Sequence, residues 1–310
     1  MSAPVELCGL RLAHPIINGS GTFDVRAARR VFGAELYRRL PFAAYVSKTI
    51  TLEPRIGNPA PRLWEAPAGL INSIGLPNGG LAAYLAEDLP ELARLPVPLI
   101  TNVMGSSAQE IAELFAACDE RAEIAAVELN VSCPNVRTGL DIGADPDLLG
   151  EVLHETRPRL GKPLIVKLTP NAADVAACAA AAEEAGADAV SLINTLRAAA
   201  FVRGRDGAQR PWLGGRSGGL SGPAIRAVAL AQIDRVAARV AIPVVGMGGV
   251  QSAAHARQML SAGASVVAVG TESFRDPLAG ARIAADLGFE VAAGGAREGL
   301  AGGHPASRHP

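Results

Sequence analysis

The sequence predicts an α/β protein folded as a single (β/α)8 barrel, with its active site at the C-terminal ends of the strands. Eight short apolar runs recur along the chain, each followed by a segment of helical character. Runs such as Leu164-Ile165-Val166 and Val266-Val267-Ala268-Val269 are continuously apolar, as strands covered on both faces of a parallel sheet are. The 310 residues exceed the roughly 250 that such a barrel needs, which leaves length for loops. A doubly wound open sheet is the runner-up, because a strand count read from one sequence is approximate.

Taken in order, residues 5–12 read as a small hairpin closing the barrel floor. The strands follow at 15–18, 43–47, 98–102, 125–130, 163–167, 189–193, 243–246 and 265–269. Helices are expected at about 25–39, 79–94, 108–119, 146–159, 172–185, 223–240, 252–262 and 278–287. Ser107 and Ser252 supply N-cap hydroxyls, and Gly186 and Gly263 supply stops. Two connections, 50–77 and 196–221, are too long for simple turns, and long loops in a compact domain usually carry function. Both leave the C-terminal ends of strands. The barrel is assigned residues 1–293; the glycine-rich remainder, 294–310, has no periodicity and is expected to be a flexible tail.

Composition narrows the function classes. A formal net charge of −1 gives no footprint for nucleic acid or an anionic membrane surface. Residues 1–7 carry neither a basic region nor an apolar run, so no signal peptide is read there. The alanine-rich stretch 172–187 is interrupted by Asp174, Glu183 and Glu184, which makes it an amphipathic helix and not a membrane span. Cys8, Cys118, Cys133 and Cys178 lie far apart without a Cys-x-x-Cys pair. Disulfides and a metal or iron–sulfur site within the chain are therefore not expected, and the cytoplasm is the natural compartment.

The strand ends carry the chemistry. They read Ser20, Lys48, Asn102, Asn130, Lys167, Asn194-Thr195, Gly248-Gly249 and Gly270-Thr271, so seven of eight bring a hydroxyl, amide or ammonium to one rim. A role in stability alone would place such groups at either end indifferently, whereas barrel enzymes concentrate them at this one. The seventh and eighth ends suit a phosphate: glycines let backbone N–H groups approach an anion, and Ser252 opens a helix beside them. The run Gly218-Gly219-Leu220-Ser221-Gly222-Pro223 adds a third such turn. Gly246-Met247-Gly248-Gly249-Val250-Gln251 lacks the third glycine of a dinucleotide fingerprint and lies late in the chain, so NAD binding there is rejected.

Asn130-Val131-Ser132-Cys133-Pro134-Asn135 follows the fourth strand and opens a loop running to about Pro146. A cysteine between two amides on such a loop is unlike Cys8, Cys118 and Cys178, whose apolar or helical settings suit core thiols. Lys48 and Lys167, at other strand ends, are cations able to lower a thiol pKa. No histidine sits at a strand end, and His14 and His154 read as structural. A Cys–His hydrolase is thus disfavoured, which leaves cysteine as a proton acceptor.

Together these residues resemble the class 1 dihydroorotate dehydrogenases, flavoproteins of pyrimidine synthesis. The likeness runs from Asn18-Gly19-Ser20-Gly21-Thr22-Phe23 to Gly270-Thr271. Its most specific pieces are Asn72-Ser73-Ile74-Gly75-Leu76-Pro77-Asn78, the Cys133 hexapeptide, and Asn194-Thr195 with the later Gly218–Pro223 run. Cysteine in place of serine at the base marks class 1. Within it, Thr51-Leu52-Glu53-Pro54-Arg55-Ile56-Gly57-Asn58-Pro59 and Asn194-Thr195 are similar to the 1B subclass.

The resemblance implies one FMN per chain. Its phosphate would sit on Gly222, Gly248, Gly249, Gly270 and Thr271, with Ser20, Lys48, Thr49, Asn102, Asn130 and Ile193 lining the ring. Lys167 would face the ring edge where reduction builds negative charge. Lys48 would neutralise the substrate carboxylate, while Asn72, Ser73, Ile74, Gly75, Leu76, Asn130, Asn194 and Thr195 satisfy its ring, and Cys133 would take the C5 proton. The 1B likeness further implies a homodimer that joins an electron-transfer subunit carrying FAD and a [2Fe–2S] cluster, a heterotetramer passing electrons to NAD⁺. The segment 196–221, with Arg197, Arg203, Arg205, Asp206 and Arg210, departs from the family in its charge. The alternatives are a dihydropyrimidine dehydrogenase-like flavin enzyme and a non-catalytic flavin- or phosphate-binding barrel.

Overall fold

The computed structural model describes residues 5–132 and 142–291. Eight parallel strands form the barrel wall: Ile16–Asn18, Tyr45–Val46, Leu99–Val103, Ala126–Asn130, Leu164–Lys167, Ala189–Leu192, Val244–Met247 and Val266–Val269. These are the eight expected runs, within a residue or two. Ladder pairing runs in order from the second strand round to the eighth and then to the first. The remaining seam, between strands one and two, is closed by a side chain. Val46 N donates to Asn18 Oδ1 and Asn18 Nδ2 donates to Val46 O, both at 2.8 Å, and Ala43 N reaches Ile16 O at 2.9 Å. An amide side chain offers the same donor and acceptor as a peptide group, so it stands in for the missing ladder bonds. This closure removes the open-sheet alternative.

Strand residues alternate between two cores because successive side chains point to opposite faces. Val127, Leu129, Val166, Val190 and Leu192 face outward into the helical layer. Ile100, Ala126, Ile165, Ala189, Val245 and Val266 face inward with Leu7 and Leu12 from the N-terminal hairpin, Val5–Leu7 and Leu10–Leu12, which plugs the floor as expected. One pleat above that apolar layer the inward positions become polar: Asn102, Glu128, Lys167 and Ser191 are all buried. The alternation therefore stacks an apolar floor beneath a polar platform.

Five described helices begin at a capping side chain, two of them at the expected Ser107 and Ser252. Asp24, Ser107, Asp145, Asp174 and Ser252 each accept from N–H groups of the first turn. Gly186 and Gly263 end their helices at φ +88° and +105°. Four expected helices are not α-helical throughout: 146–159 ends and 223–240 begins in a 3-10 turn, and two more are broken. The first is α-helical only over Val25–Phe32, because Gly33 takes φ +64° and starts a 3-10 turn, Gly33–Tyr37. The second runs as Gly80–Ala83, a π turn Tyr84–Asp88 and Leu89–Leu92, since Pro90 has no N–H to give to the carbonyl of Ala86.

The two long connections are not loops. Leu63–Ala66 and Gly69–Asn72 form a hairpin that joins Gly218–Ser221 and Leu196–Ala198 in one antiparallel sheet above the barrel mouth. The charged segment forms its own hairpin, Phe201–Arg203 with Gln209–Pro211, tied by an Arg210–Asp206 ion pair. No described helix is long and apolar enough to cross a membrane. The tail 294–310 lies outside the described residues.

Candidate active site

The polar platform is built around one acid. Glu128 Oε1 accepts from Asn102 Nδ2 at 2.6 Å, and Glu128 Oε2 accepts from Ser191 Oγ at 2.8 Å. The Asn102 N–H is held by Ser47 Oγ at 3.0 Å, while its buried Oδ1 meets no donor among the described residues. Lys167 is 6% exposed, and its ammonium makes no hydrogen bond or ion pair with a described residue. A buried lone acceptor is costly unless a ligand meets it, and the unpaired cation on the same platform can face that ligand. A flat group offering an N–H donor and a carbonyl edge that gains negative charge, as a flavin does, satisfies both.

Beside the platform, Ser20 Oγ donates to Ser47 O at 2.7 Å and lies 3.4 Å from Thr49 Oγ1. Ser47 and Thr49 are buried, and Lys48 between them is exposed at the mouth. Lys48 lines a cleft of about 310 Å³ together with Gly21, Thr49, Pro77 and Asn78. The cation expected for a substrate carboxylate is therefore open to an incoming anion.

The remaining amides converge from three elements. Asn194 Nδ2 donates to Asn130 Oδ1 at 3.4 Å, and Thr195 N donates to Asn194 Oδ1 at 2.9 Å. Asn72 Nδ2 reaches Gly219 O at 3.3 Å, and a Cβ on Gly219 would collide with Thr195 Oγ1. Asn72, Asn130, Asn194 and Thr195 thus share one rim. Ser73 is instead part of the support: it is buried and its Oγ accepts from Asn58 Nδ2 at 3.0 Å. Asn58 N also donates to Ile74 O at 2.9 Å, and packs so closely on Gly75 that a Cβ there would lie 2.5 Å from it. Gly75 and Leu76 both take positive φ, +75° and +55°, which turns this backbone across the mouth. Asn58 was not expected as a site residue, although it lies in the motif that marked the subclass.

The glycine turns meet as expected, with one correction. Gly222, Gly248 and Gly249 take φ +87°, +134° and +69°. A Cβ on Gly249 would lie 2.8 Å from Gly222 O, and one on Gly222 would lie 3.7 Å from Thr271 Cγ2. Thr271 Oγ1 donates to Ser221 Oγ at 2.8 Å, which draws the end of strand eight to the same place, with Gly270 beside it. Ile193 closes the inner wall: its N donates to Met247 O at 3.0 Å and its Cγ1 would lie 3.3 Å from a Cβ on Gly248. Arg226, absent from the expected set, donates from Nη1 to Gly249 O at 3.3 Å and so adds a cation. Gly218 and Gly219, however, belong to a strand and not to a phosphate turn. A Cβ on Gly218 would collide with Asn72 O, so glycine there permits close strand contact.

Cys133, Pro134 and Asn135 lie outside the described residues. Ser132 N is anchored to Asn130 Oδ1 at 3.1 Å, and Gly143 N donates to Val131 O at 3.0 Å. The other thiols are unsuited to proton transfer: burial pushes Cys118 up to about 12 and Cys178 up to about 11. Burial, aided by Asp188, pushes Cys8 up to about 12. His14 is buried at the floor, and His154 is exposed near the end of its helix.

A family model described as dihydroorotate dehydrogenase matches residues 2–290. The chain is 45% identical over 282 residues to "Dihydroorotate dehydrogenase B (NAD(+)), catalytic subunit" of Pelobacter propionicus, covering 90% of each. It is 42% identical over 287 residues to the protein of the same name from Geobacillus kaustophilus, covering 91% of this chain and 88% of that one. Among solved structures, the fold is similar to that of DHODH from Eimeria tenella, crystallised with ferulenol. That likeness has a TM-score of 0.73 at 20% identity and covers 92% of this chain and 83% of the other.

Proposed function

The chain belongs to the dihydroorotate dehydrogenase family, and from that premise we propose that it is the FMN-bearing catalytic subunit of an NAD⁺-linked enzyme oxidising dihydroorotate to orotate. The observation that carries the FMN assignment is the platform: buried Asn102 Oδ1 without a donor, on the same inward layer as Lys167, which is 6% exposed and unpaired among the described residues. FMN supplies the two-electron acceptor. Asn102 and Lys167 would meet its ring, Ser20, Thr49, Asn130 and Ile193 would flank it, and Gly222, Gly248, Gly249, Gly270 and Thr271 would hold its phosphate, with Arg226 as a nearby cation.

Orotate, the product, is flat, and substrate and product are both anionic and rich in amide groups. Lys48 is exposed at the mouth, where it would neutralise the carboxylate, while Asn72, Asn130, Asn194, Thr195 and the backbone at Ile74–Leu76 pair with the ring. Cys133, carried by the motif that follows strand four, is the base assigned to the C5 proton. Fixed amides that cannot reorganise favour the charge that builds as this proton leaves.

The chain has no complete dinucleotide fingerprint and no cysteine cluster, so a partner subunit carrying FAD and a [2Fe–2S] cluster would take the electrons to NAD⁺. A homodimer of this chain with two such partners, in the cytoplasm, is the assembly the subclass motif supports. The test uses the isolated chain. Dihydroorotate should support turnover with an artificial quinone or dye but little with NAD⁺, and adding the partner should restore NAD⁺ reduction. Rapid NAD⁺ turnover by the pure chain contradicts the partner assignment, and efficient turnover with fumarate moves the protein to the 1A subclass. Turnover of dihydrouracil in place of dihydroorotate would point to the dihydropyrimidine dehydrogenase-like alternative.

A further inference from the structure

Among the described residues Glu128 is the one acidic side chain that is buried, at 3% exposure, and no described cation pairs with it. Burying a carboxylate without a counter-ion is unfavourable, so its place between the apolar residues Val127 and Leu129 calls for a role. Both oxygens act as acceptors, from Asn102 Nδ2 at 2.6 Å and from Ser191 Oγ at 2.8 Å. A carboxylate has no N–H to offer, so Asn102 can face it only with its NH2 edge. That contact decides which edge of Asn102 looks the other way. It is Oδ1, buried and without a donor among the described residues.

We propose that Glu128 is a positioning residue for the flavin: by fixing the Asn102 amide it presents Oδ1 as an acceptor for an N–H of the flavin ring. The inference rests on the FMN assignment above. The oxidised ring has many acceptors and few donors, so an amide turned the wrong way would set N–H groups against its donor. Ser191 holds the second carboxylate oxygen, so the acid keeps its own orientation. Asn102 would touch the cofactor; Glu128 acts through it.

The test reads FMN affinity of apo-protein by quenching of flavin fluorescence, without turnover. Glu128→Ala should weaken FMN by at least about tenfold, and adding Glu128→Ala to Asn102→Ala should cost little more than Asn102→Ala alone. Glu128→Gln should stay within about threefold of the parent, since its oxygen can accept from Asn102 while the Ser191 hydroxyl turns to accept from its NH2. Should Glu128→Ala not fold, a second pair decides. Asn102→Asp, which sets two carboxylates face to face, should lose FMN, and Glu128→Gln in the same chain should recover most of it. Parent-like affinity in Glu128→Ala, losses that multiply, or no recovery in the second pair would overturn the proposal. A parent protein that takes up no FMN at all would instead sink the functional assignment itself.

Discussion

The side-chain amide of Asn194 donates to Asn130 Oδ1 across 3.4 Å, joining the ends of the sixth and fourth barrel strands at the mouth. Asn130 Oδ1 also accepts from Ser132 N at 3.1 Å, so the bond couples the rim proposed for the substrate to the residue preceding Cys133. A hydrogen bond that is only part-buried contributes about 0.5–1.5 kcal/mol. Asn194→Ala should therefore raise the KM for dihydroorotate by up to about tenfold while leaving FMN content unchanged. Steady-state kinetics with a dye acceptor checks this, and an unchanged KM would remove Asn194 from the rim.

A second expectation concerns the base. General acid–base catalysis typically contributes about 10²–10⁴-fold, so Cys133→Ala should slow flavin reduction by that order yet still bind FMN and orotate. Cys133→Ser should also be slow at neutral pH, because a hydroxyl needs more help to accept a proton. Stopped-flow reduction by dihydroorotate separates chemistry from binding; near-parent rates in Cys133→Ala would remove the assignment.

Gly249 offers a sharper test of the phosphate cradle. It sits at φ +69°, and a Cβ would lie 2.8 Å from Gly222 O and 2.9 Å from Arg226 Cβ. A left-handed conformation costs a residue with a Cβ roughly 1–2 kcal/mol before any clash is counted. Gly249→Ala should be recovered largely as apo-protein, seen as a fall in the ratio of flavin to protein absorbance. Full FMN content would show that this turn does not hold the phosphate.

Stability should depend on pH through His14. The ring is buried, its Nδ1 accepts from Ile16 N at 3.3 Å, and burial lowers its pKa from 6.5 to about 4. Because the folded value lies below the unfolded one, the unfolded chain binds the extra proton between about pH 6.5 and 4. Stability is then lost as the pH falls through that window, by on the order of 2 kcal/mol. Urea midpoints at pH 7 and pH 4.5 should differ less in His14→Gln than in the parent; an equal difference would exclude His14 as the source.

The strands were legible because burial on both faces leaves continuous apolar runs, and the rim was legible because period-two alternation ends each run on a polar group. Glu128 escaped notice because it lies two residues below the strand end, inside Ala126-Val127-Glu128-Leu129-Asn130. A charge interrupting an apolar run on its inward phase was the available signal. The antiparallel sheet over the mouth was missed for the opposite reason. Gly218-Gly219 reads as a turn, and only the packing of Thr195 and Asn72 against it makes glycine a strand residue. Asn58 and Arg226 act through contacts with residues distant in sequence or across a turn, which no local pattern encodes.

The most direct test of the central claim is anaerobic titration of the purified chain with dihydroorotate, followed in the visible flavin band. The expected result is a yellow protein that releases FMN on denaturation, with stoichiometric bleaching by dihydroorotate, equivalent formation of orotate, and no bleaching by dihydrouracil. A colourless protein, or a flavin band that dihydroorotate leaves unchanged, would contradict it.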